Sequence, residues 1–189
     1  KLVARLKDPS TRKRIFEETL AFNKRRGYDD FEYTAVASCR FEPKYEGRNL
    51  REISRLEGRG ETHAADVETV LNLMERGGVS VVTSAMSEDD VANIMRYPNT
   101  AIASDGGVVQ FGAGRPHPRN YGTNARVLNE YVRQRKVLTL EDAIRKMTSL
   151  PAQIFQFKDR GLVREGCAAE VVVFDPAQVR DNANFANPH

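Results

Sequence analysis

The sequence lacks the features that mark several classes of protein. Its two cysteines, Cys39 and Cys167, lie far apart and outside any CxxC pair, so neither a zinc ribbon nor a disulfide framework is indicated. No apolar run approaches the roughly 20 residues that a membrane-spanning helix requires. We therefore expect a cytoplasmic protein without disulfides that has no membrane partner.

The charge also lacks a dominant sign. The 29 basic residues are set against 26 acidic residues, which leaves a formal net charge of +3. A basic stretch at residues 12–26 suggests a nucleic-acid surface, but apolar residues recur within it at Ile15, Phe16, Leu20 and Phe22. That spacing favours the solvated face of an amphipathic helix. We expect no nucleic-acid partner.

Neither an ordinary chain start nor a metal-binding motif is present. Residues 1–6 contain no initiator Met, no secretory apolar segment and no cleavage site, so we expect the chain to be a piece of a longer polypeptide.

The three histidines, His63, His117 and His189, form no HxH or HExxH motif. Their spacing alone does not predict a metal site.

Helices and strands are predicted to alternate through the middle of the chain. Asp8 and Pro9 open a helix that ends at Gly27, and a short helix is expected at 49–56. The alternating elements are a strand at 31–39, a helix from Asp66 to Gly77, a buried strand at 79–82, a helix opened by Ser87 and Asp90, and a strand at 100–104. This order predicts a parallel α/β sheet.

The last third of the chain is expected to change from helices to strands. Helices are predicted at about 123–136 and from Thr139 onward, where apolar residues follow helical spacing. Residues 161–166 and 170–176 have the composition of two short strands joined by a glycine turn. These strands are predicted to belong to a separate β layer.

A candidate site follows the predicted strand at 100–104. Asp105 stands at the strand's carboxyl end, where α/β barrels place their chemistry, and a long glycine-rich loop follows it to Gly122. Taken alone, an Asp-Gly pair after a strand is typical of a turn. In the same loop His117 offers a possible metal ligand, and Arg119 offers a guanidinium fork that suits a carboxylate.

Several segments together resemble one known family. The segments are 86–91 (MSEDDV), 98–106 (PNTAIASDG), 117–123 (HPRNYGT), 140–152 (LEDAIRKMTSLPA), 159–161 (DRG) and 172–176 (VVFDP). In order and spacing they are similar to the N-acyl-D-amino-acid deacylases of the amidohydrolase superfamily, and the likeness covers nearly the whole chain. It implies an α/β fold, the C-terminal part of a (β/α)8 TIM-like barrel with a fragment of the family's β-sandwich. The implied domains are a helical segment of an inserted region at 1–30, barrel strands and helices at 31–157, and a partial sandwich at 158–189.

The resemblance also implies roles for individual residues. Asp105 would be the catalytic carboxylate that takes a proton from a metal-activated water and returns it to the leaving amine. Arg119 would bind the α-carboxylate of an N-acyl-D-amino acid, and Ser38 would add a hydrogen bond to it. Met86 would line the side-chain pocket, although core packing explains a methionine equally well.

The family's metal ligands have no counterpart here. By the resemblance they precede Lys1, and Cys39 is expected to be a small buried hydrophobe rather than a ligand. The parent enzyme would hold zinc, whereas this piece alone is expected to bind no metal and to be inactive. It would need the missing N-terminal half of the barrel or an oligomeric partner. Two alternatives stay open: an amidohydrolase acting on cyclic amides, such as a dihydroorotase-like or hydantoinase-like enzyme, and a non-catalytic association module.

Overall fold

The computed structural model describes residues 2–189 and divides into two compact units. The first unit comprises Lys1–Ala85 with Gln110–His117, and the second comprises Met86–Val109 with Pro118–His189. Each unit therefore takes its residues from two separate stretches of the chain. The domain boundaries expected after residues 30 and 157 stay predictions.

The first unit contains four α-helices and two strands among its described residues. They are α1 (Leu2–Leu6), α2 (Pro9–Arg25), β1 (Thr34–Ser38), α3 (Leu50–Leu56), α4 (His63–Glu75) and β2 (Ser80–Thr83), with a 3-10 turn at Pro43–Tyr45. The described residues of the second unit form helices only. These are α5 (Glu88–Arg96), α6 (Arg119–Arg126), a π-helical segment (Val127–Gln134), α7 (Leu140–Met147) and α8 (Ser149–Ile154).

Local capping residues determine where the helices of the first unit begin. Asp8 accepts a hydrogen bond from the backbone N–H of Thr11 at 2.8 Å, which confirms the predicted start of α2. Helix α4 begins at His63, earlier than the predicted Asp66. The reason is that the Thr62 hydroxyl accepts from the Ala65 N–H at 3.1 Å and so provides the cap.

The predicted starts of three other helices are confirmed. Asn49 and Glu52 form a reciprocal capping box at the start of α3. The Ser87 hydroxyl accepts from the Asp90 N–H at 3.1 Å and starts α5. Thr139 accepts from the Asp142 N–H at 3.1 Å and starts α7.

The sheet is antiparallel, and the predicted parallel arrangement is wrong for these two strands. Thr34 pairs with Thr83 and Val36 with Val81, and the register shifts between Val36 and Ser38. The chain between β1 and β2 carries two helices, α3 and α4, instead of the single crossover helix of a βαβ unit.

One face of the sheet packs on helices to form the main core of the first unit. Val36, Cys39, Ile53 and Leu73 are each at most 1% exposed and belong to one cluster. Cys39 is thus a buried apolar residue, as predicted. Strand β2 is not the buried strand that was predicted, since Val81 is 46% exposed.

The second unit is built around the π-helical segment and α7. Its buried cluster consists of Val127, Leu128, Tyr131, Leu138 and Ala143. Helix α6 and the π-helical segment follow one another and cover the region predicted as a helix at 123–136. Helix α6 begins earlier than predicted, at Arg119.

The strands predicted in the second unit do not form. Residues 100–104, 161–166 and 170–176 have no strand structure, and Val172 and Val173 are 82% and 92% exposed. A strand needs a neighbouring strand to bond its backbone groups, and none lies beside these segments within the part of the chain that the structure describes. The expected barrel part and sandwich fragment are therefore not confirmed by the described residues 2–189.

Candidate active site

Asp105 lies in an irregular segment, and its left-handed backbone conformation marks a local turn there. Its φ of 46° is in the left-handed region, which Asp tolerates better than most residues. The N–H of Gly106 donates to Ser104 Oγ at 3.2 Å, and the N–H of Gly107 donates to Asn120 Oδ1 at 2.8 Å. Two hydrogen bonds therefore hold the backbone directly after the carboxylate.

Arg119 lies next to Asp105 in the structure. Arg119 is the first residue of α6, and its Nη2 is 3.0 Å from Asp105 Oδ2. The side chains are 44% and 85% exposed respectively. The structure thus brings two of the predicted site residues together, and both remain accessible to a small molecule.

Asn120 is a site residue that the sequence argument missed. Its side-chain oxygen accepts from the Gly107 N–H, so it ties the turn of Asp105 to the helix that begins with Arg119. A Cβ on Gly106 would lie 2.9 Å from Asn120 Oδ1 and 3.1 Å from Asn120 Cα. A side chain at this glycine would require a shift of Asn120, which explains why glycine suits the position.

Met86 and Ser38 are the other two residues that were predicted to bind the substrate. Met86 is 71% exposed and directly precedes Ser87, the N-cap of α5. This exposure contradicts the core-packing alternative for Met86, and its role in a side-chain pocket stays a prediction. Ser38 is the last residue of β1 in the first unit. Its hydrogen bond to a substrate also stays a prediction.

Part of the glycine-rich loop packs on the end of β1 within the first unit. The Arg115 N–H donates to the carbonyl of Ala37 at 2.6 Å. Gly114 has a φ of 66°, and a Cβ there would lie 2.9 Å from the same carbonyl. This close approach requires a glycine and fixes the loop beside Ser38.

A carboxylate network fixes the start of the helix that follows Met86. The Tyr131 hydroxyl donates to Glu88 Oε2 at 2.8 Å, and Arg126 Nη2 lies 3.2 Å from Glu88 Oε1. The hydrogen bond from Tyr131, followed by the charges of Arg126 and Arg135, lowers the pKa of Glu88 below its usual value. Glu88 is therefore held ionised at the first residue of α5, where a negative charge also suits the helix dipole.

The described residues do not assemble a metal site by themselves. No group of three or more His, Cys, Asp or Glu side chains among residues 2–189 is arranged to hold an ion. His63 Nε2 lies 3.1 Å from Asn23 Nδ2, and His189 Nδ1 lies 3.2 Å from the Tyr121 hydroxyl. Asp105 alone does not provide the three or four ligands that zinc takes from a protein.

Within residues 2–189, no helix combines the length and the apolar character that a membrane crossing demands.

Two curated relatives share much of this chain's sequence. The N-acyl-D-aspartate deacylase of Alcaligenes xylosoxydans xylosoxydans is 37% identical over 146 residues, which are 77% of this chain and 27% of the relative. The D-aminoacylase of the same organism is 37% identical over 155 residues, or 82% of this chain and 30% of the relative. The chain therefore spans less than a third of either protein.

Solved structures of such proteins resemble the fold. An N-acyl-D-glutamate deacylase from Bordetella bronchiseptica, crystallised with zinc and a phosphonate mimic of the tetrahedral intermediate, has a TM-score of 0.70 and 34% identity, covering 84% of this chain and 31% of its own. A D-aminoacylase has a TM-score of 0.69 and 33% identity, covering 92% of this chain and 39% of its own. The resemblance to N-acyl-D-amino-acid deacylases is thus confirmed. Because the Amidohydrolase family also matches residues 14–187, the chain belongs to the amidohydrolase family.

Proposed function

We propose that this chain is part of a metal-dependent hydrolase that cleaves the amide bond of N-acyl-D-amino acids to a carboxylate and a free D-amino acid. The observation that carries the proposal is the pairing of Asp105 with Arg119 at 3.0 Å. A proton-transferring carboxylate and a carboxylate-binding guanidinium are the two groups that such a substrate requires. The relatives' names, N-acyl-D-aspartate deacylase and D-aminoacylase, give the substrate class.

Asp105 is the proton-transfer group in this proposal. Its carboxylate takes a proton from the water whose oxygen attacks the amide carbon, and it returns that proton to the nitrogen as the C–N bond breaks. The 85% exposure of its side chain leaves the carboxylate open to both groups. Water and amide are consumed, and the acid and the amine are released.

Arg119 binds the α-carboxylate of the substrate. A guanidinium donates two parallel hydrogen bonds to a carboxylate, and the contact with Asp105 shows that a carboxylate reaches the Arg119 fork. The substrate takes over this contact and leaves Asp105 beside the amide. Ser38 adds a hydrogen bond to the substrate, and Met86 lines the pocket for its side chain.

The metal is assigned to residues outside this chain, because the described residues do not form a site for it. In reactions of this class a zinc ion polarises the carbonyl and acidifies the water. The chain spans 27% of the N-acyl-D-aspartate deacylase, which leaves most of such a protein to supply the ligands. The active assembly contains either this additional polypeptide or an oligomeric partner.

The test combines metal analysis with hydrolysis of N-acetyl-D-amino acids. Both are run on the 189-residue chain and on the full-length polypeptide that this proposal implies. Each is also prepared as Asp105→Ala and, as a matched control, Asp159→Ala, since Asp159 is 61% exposed and paired with Arg160.

The proposal expects zinc and hydrolysis in the full-length protein, loss of turnover in Asp105→Ala and normal turnover in Asp159→Ala. The short chain is expected to be inactive. A full-length protein that neither holds metal nor hydrolyses these amides would refute the proposal and favour an association module. Hydrolysis of dihydroorotate or hydantoins instead would favour the cyclic-amide alternative.

A further inference from the structure

Helix α7 holds the segment that leads to Asp105 through a buried lysine. The side chain of Lys146 is 0% exposed, and its Nζ lies 2.6 Å from the carbonyl oxygen of Tyr97 and 3.3 Å from that of Thr100. An ammonium group is costly to bury unless hydrogen bonds compensate for lost water. Asp142 Oδ2 lies 3.9 Å away and supplies the opposite charge.

Two further contacts join α7 to the same segment. The N–H of Ile102 donates to the backbone carbonyl of Lys146 at 3.0 Å. Arg145 Nη2 donates to the carbonyl of Pro98 at 2.6 Å. The backbone at residues 97–102 is therefore bound to one turn of α7 at four positions.

These contacts fix the direction of the segment before Asp105. In a sheet, the backbone hydrogen bonds between strands would do this. Residues 101–110 have no helix or strand structure, so no ladder of backbone hydrogen bonds fixes their direction within the described chain. Ile102 is the last residue held by α7, and Asp105 follows three residues later. Beyond Asp105 the chain is held again, at Gly107, by Asn120.

We propose that Lys146 is a positioning residue for Asp105, with Arg145 as a secondary tie of the same segment. The inference rests on the proposed function, in which Asp105 transfers the proton. Removing the ammonium takes this donor from the Thr100 carbonyl and leaves the Tyr97 carbonyl with the Thr100 N–H, so that the segment can shift. A displacement of about 1 Å at a reacting group lowers turnover by about a hundredfold, while substrate binding through Arg119 is preserved.

The experiment uses the full-length polypeptide and measures kcat, KM and Tm for wild type and Lys146→Met. Methionine keeps the apolar length of the side chain and removes the charge. Lys158→Met is the control for the substitution, since Lys158 is exposed. Leu150→Ala is the control for lost stability, because Leu150 is 7% exposed in α8 and truncating it opens a cavity.

The expected result for Lys146→Met is a kcat lowered about ten- to hundredfold with KM within about twofold of wild type. Leu150→Ala is expected to lower Tm and keep kcat per folded molecule. A Lys146→Met protein with wild-type kcat, or a Leu150→Ala protein with an equal loss of kcat at an equal Tm, would overturn the inference.

A second variant covers the case in which Lys146→Met does not fold. Arg145 is 39% exposed, so Arg145→Met is expected to fold and to lower kcat by about threefold or more, since one of the four contacts is lost. Unchanged kcat in this variant would then overturn the inference.

The Asp105→Ala variant separates the two proposals. If it is inactive and Lys146→Met is fully active, only the positioning role fails. If Asp105→Ala is active, the proposed function fails and the positioning role with it.

Discussion

Arg119 Nη2 lies 3.0 Å from Asp105 Oδ2, and the two side chains are 44% and 85% exposed. Exposed ion pairs of this kind contribute roughly 0–1 kcal/mol to folding. The pair is therefore a poor explanation for the stability of the second unit. The pair instead places a carboxylate and a carboxylate-binding group side by side at the surface.

Arg119→Lys tests the binding role of the guanidinium. Lysine keeps the charge but loses the planar fork, so we expect KM for N-acetyl-D-amino acids to rise by roughly tenfold, which corresponds to about 1.4 kcal/mol. The midpoint of urea unfolding is expected to stay close to wild type because the side chain is exposed. Steady-state kinetics on the full-length polypeptide give the answer. Arg160→Lys, which alters an equally exposed arginine paired with Asp159, is the control, and an equal rise in KM for both variants would count against the role.

The helix starts could be predicted because their causes are local. The cap at Asp8 acts on Thr11, and that at Ser87 acts on Asp90. Such contacts lie within a few residues, so the sequence pattern contains both partners. The displaced start of α4 follows the same rule with Thr62 in place of Asp66. Helix α6 also begins earlier than predicted, and its N-cap residue, Pro118, makes no side-chain capping bond that a sequence pattern could show.

The strands were harder to predict because pairing is not local. Val171, Val172 and Val173 have strand composition, but these residues are 62%, 82% and 92% exposed and no strand of the described chain pairs with them. The direction of β2 relative to β1 depends on the path of the chain through α3 and α4, which connect the two strands. Composition describes what a strand prefers, whereas a partner decides whether it forms.

The candidate site was only partly visible in the sequence. Asp105 and Arg119 were found through the family resemblance, and the structure places them in contact. Asn120 and Lys146 were missed because their contacts, Gly107 and Tyr97, are remote in sequence. A lysine in an amphipathic helix ordinarily indicates a solvated face, and no pattern shows that this one is buried.

Acid is expected to loosen the start of α2 through Asp8. Hydrogen bonds from the side chains of Thr11 and Ser10, and then from the Thr11 backbone, lower the pKa of Asp8 from 3.8 to about 2. A lowered pKa in the folded state means that the cap stabilises fully above the unfolded pKa of 3.8 and is lost as the pH falls through about 2. The protection factor of the Thr11 amide against hydrogen exchange, which corrects for the intrinsic pH dependence of exchange, should therefore fall over this range. Asp8→Asn keeps the accepting oxygen but does not titrate, and a protection factor that falls equally in this variant would contradict the assignment.

Tyr131→Phe tests the network at the start of α5. The change removes the hydroxyl that donates to Glu88 Oε2, and we expect the free energy of unfolding at pH 7 to fall by about 1 kcal/mol, a modest value because Glu88 is partly solvated. The Tyr131 hydrogen bond lowers the pKa of Glu88, so its contribution is present above the usual pKa of 4.5 and declines as the pH falls below it.

The measurement is urea unfolding of wild type and Tyr131→Phe at pH 7 and at pH 3. The difference between the two proteins should shrink at the lower pH. Tyr97→Phe serves as the control, since Tyr97 is 62% exposed and binds Lys146 through its backbone carbonyl, which the substitution keeps. A constant difference at both pH values would show that packing of the hydroxyl, and not its bond to the carboxylate, is responsible.

Gly106→Ala tests whether the turn after Asp105 must stay where Asn120 holds it. The added methyl would lie 2.9 Å from Asn120 Oδ1 and 3.1 Å from Asn120 Cα, so Asn120 must move and its bond to the Gly107 N–H is strained or lost. Asp105 then shifts relative to Arg119. We expect kcat of the full-length polypeptide to fall about ten- to hundredfold with little change in Tm, because the turn is exposed.

Gly107→Ala is the matched control for this prediction. A Cβ on Gly107 meets nothing within 4 Å, so the same methyl, one residue further along the same turn, should leave turnover close to wild type. If both alanine variants lose turnover equally, flexibility of the turn and not its contact with Asn120 limits the reaction. If neither loses turnover, Asp105 does not depend on Asn120 for its position, and the contact serves only to join the turn to α6.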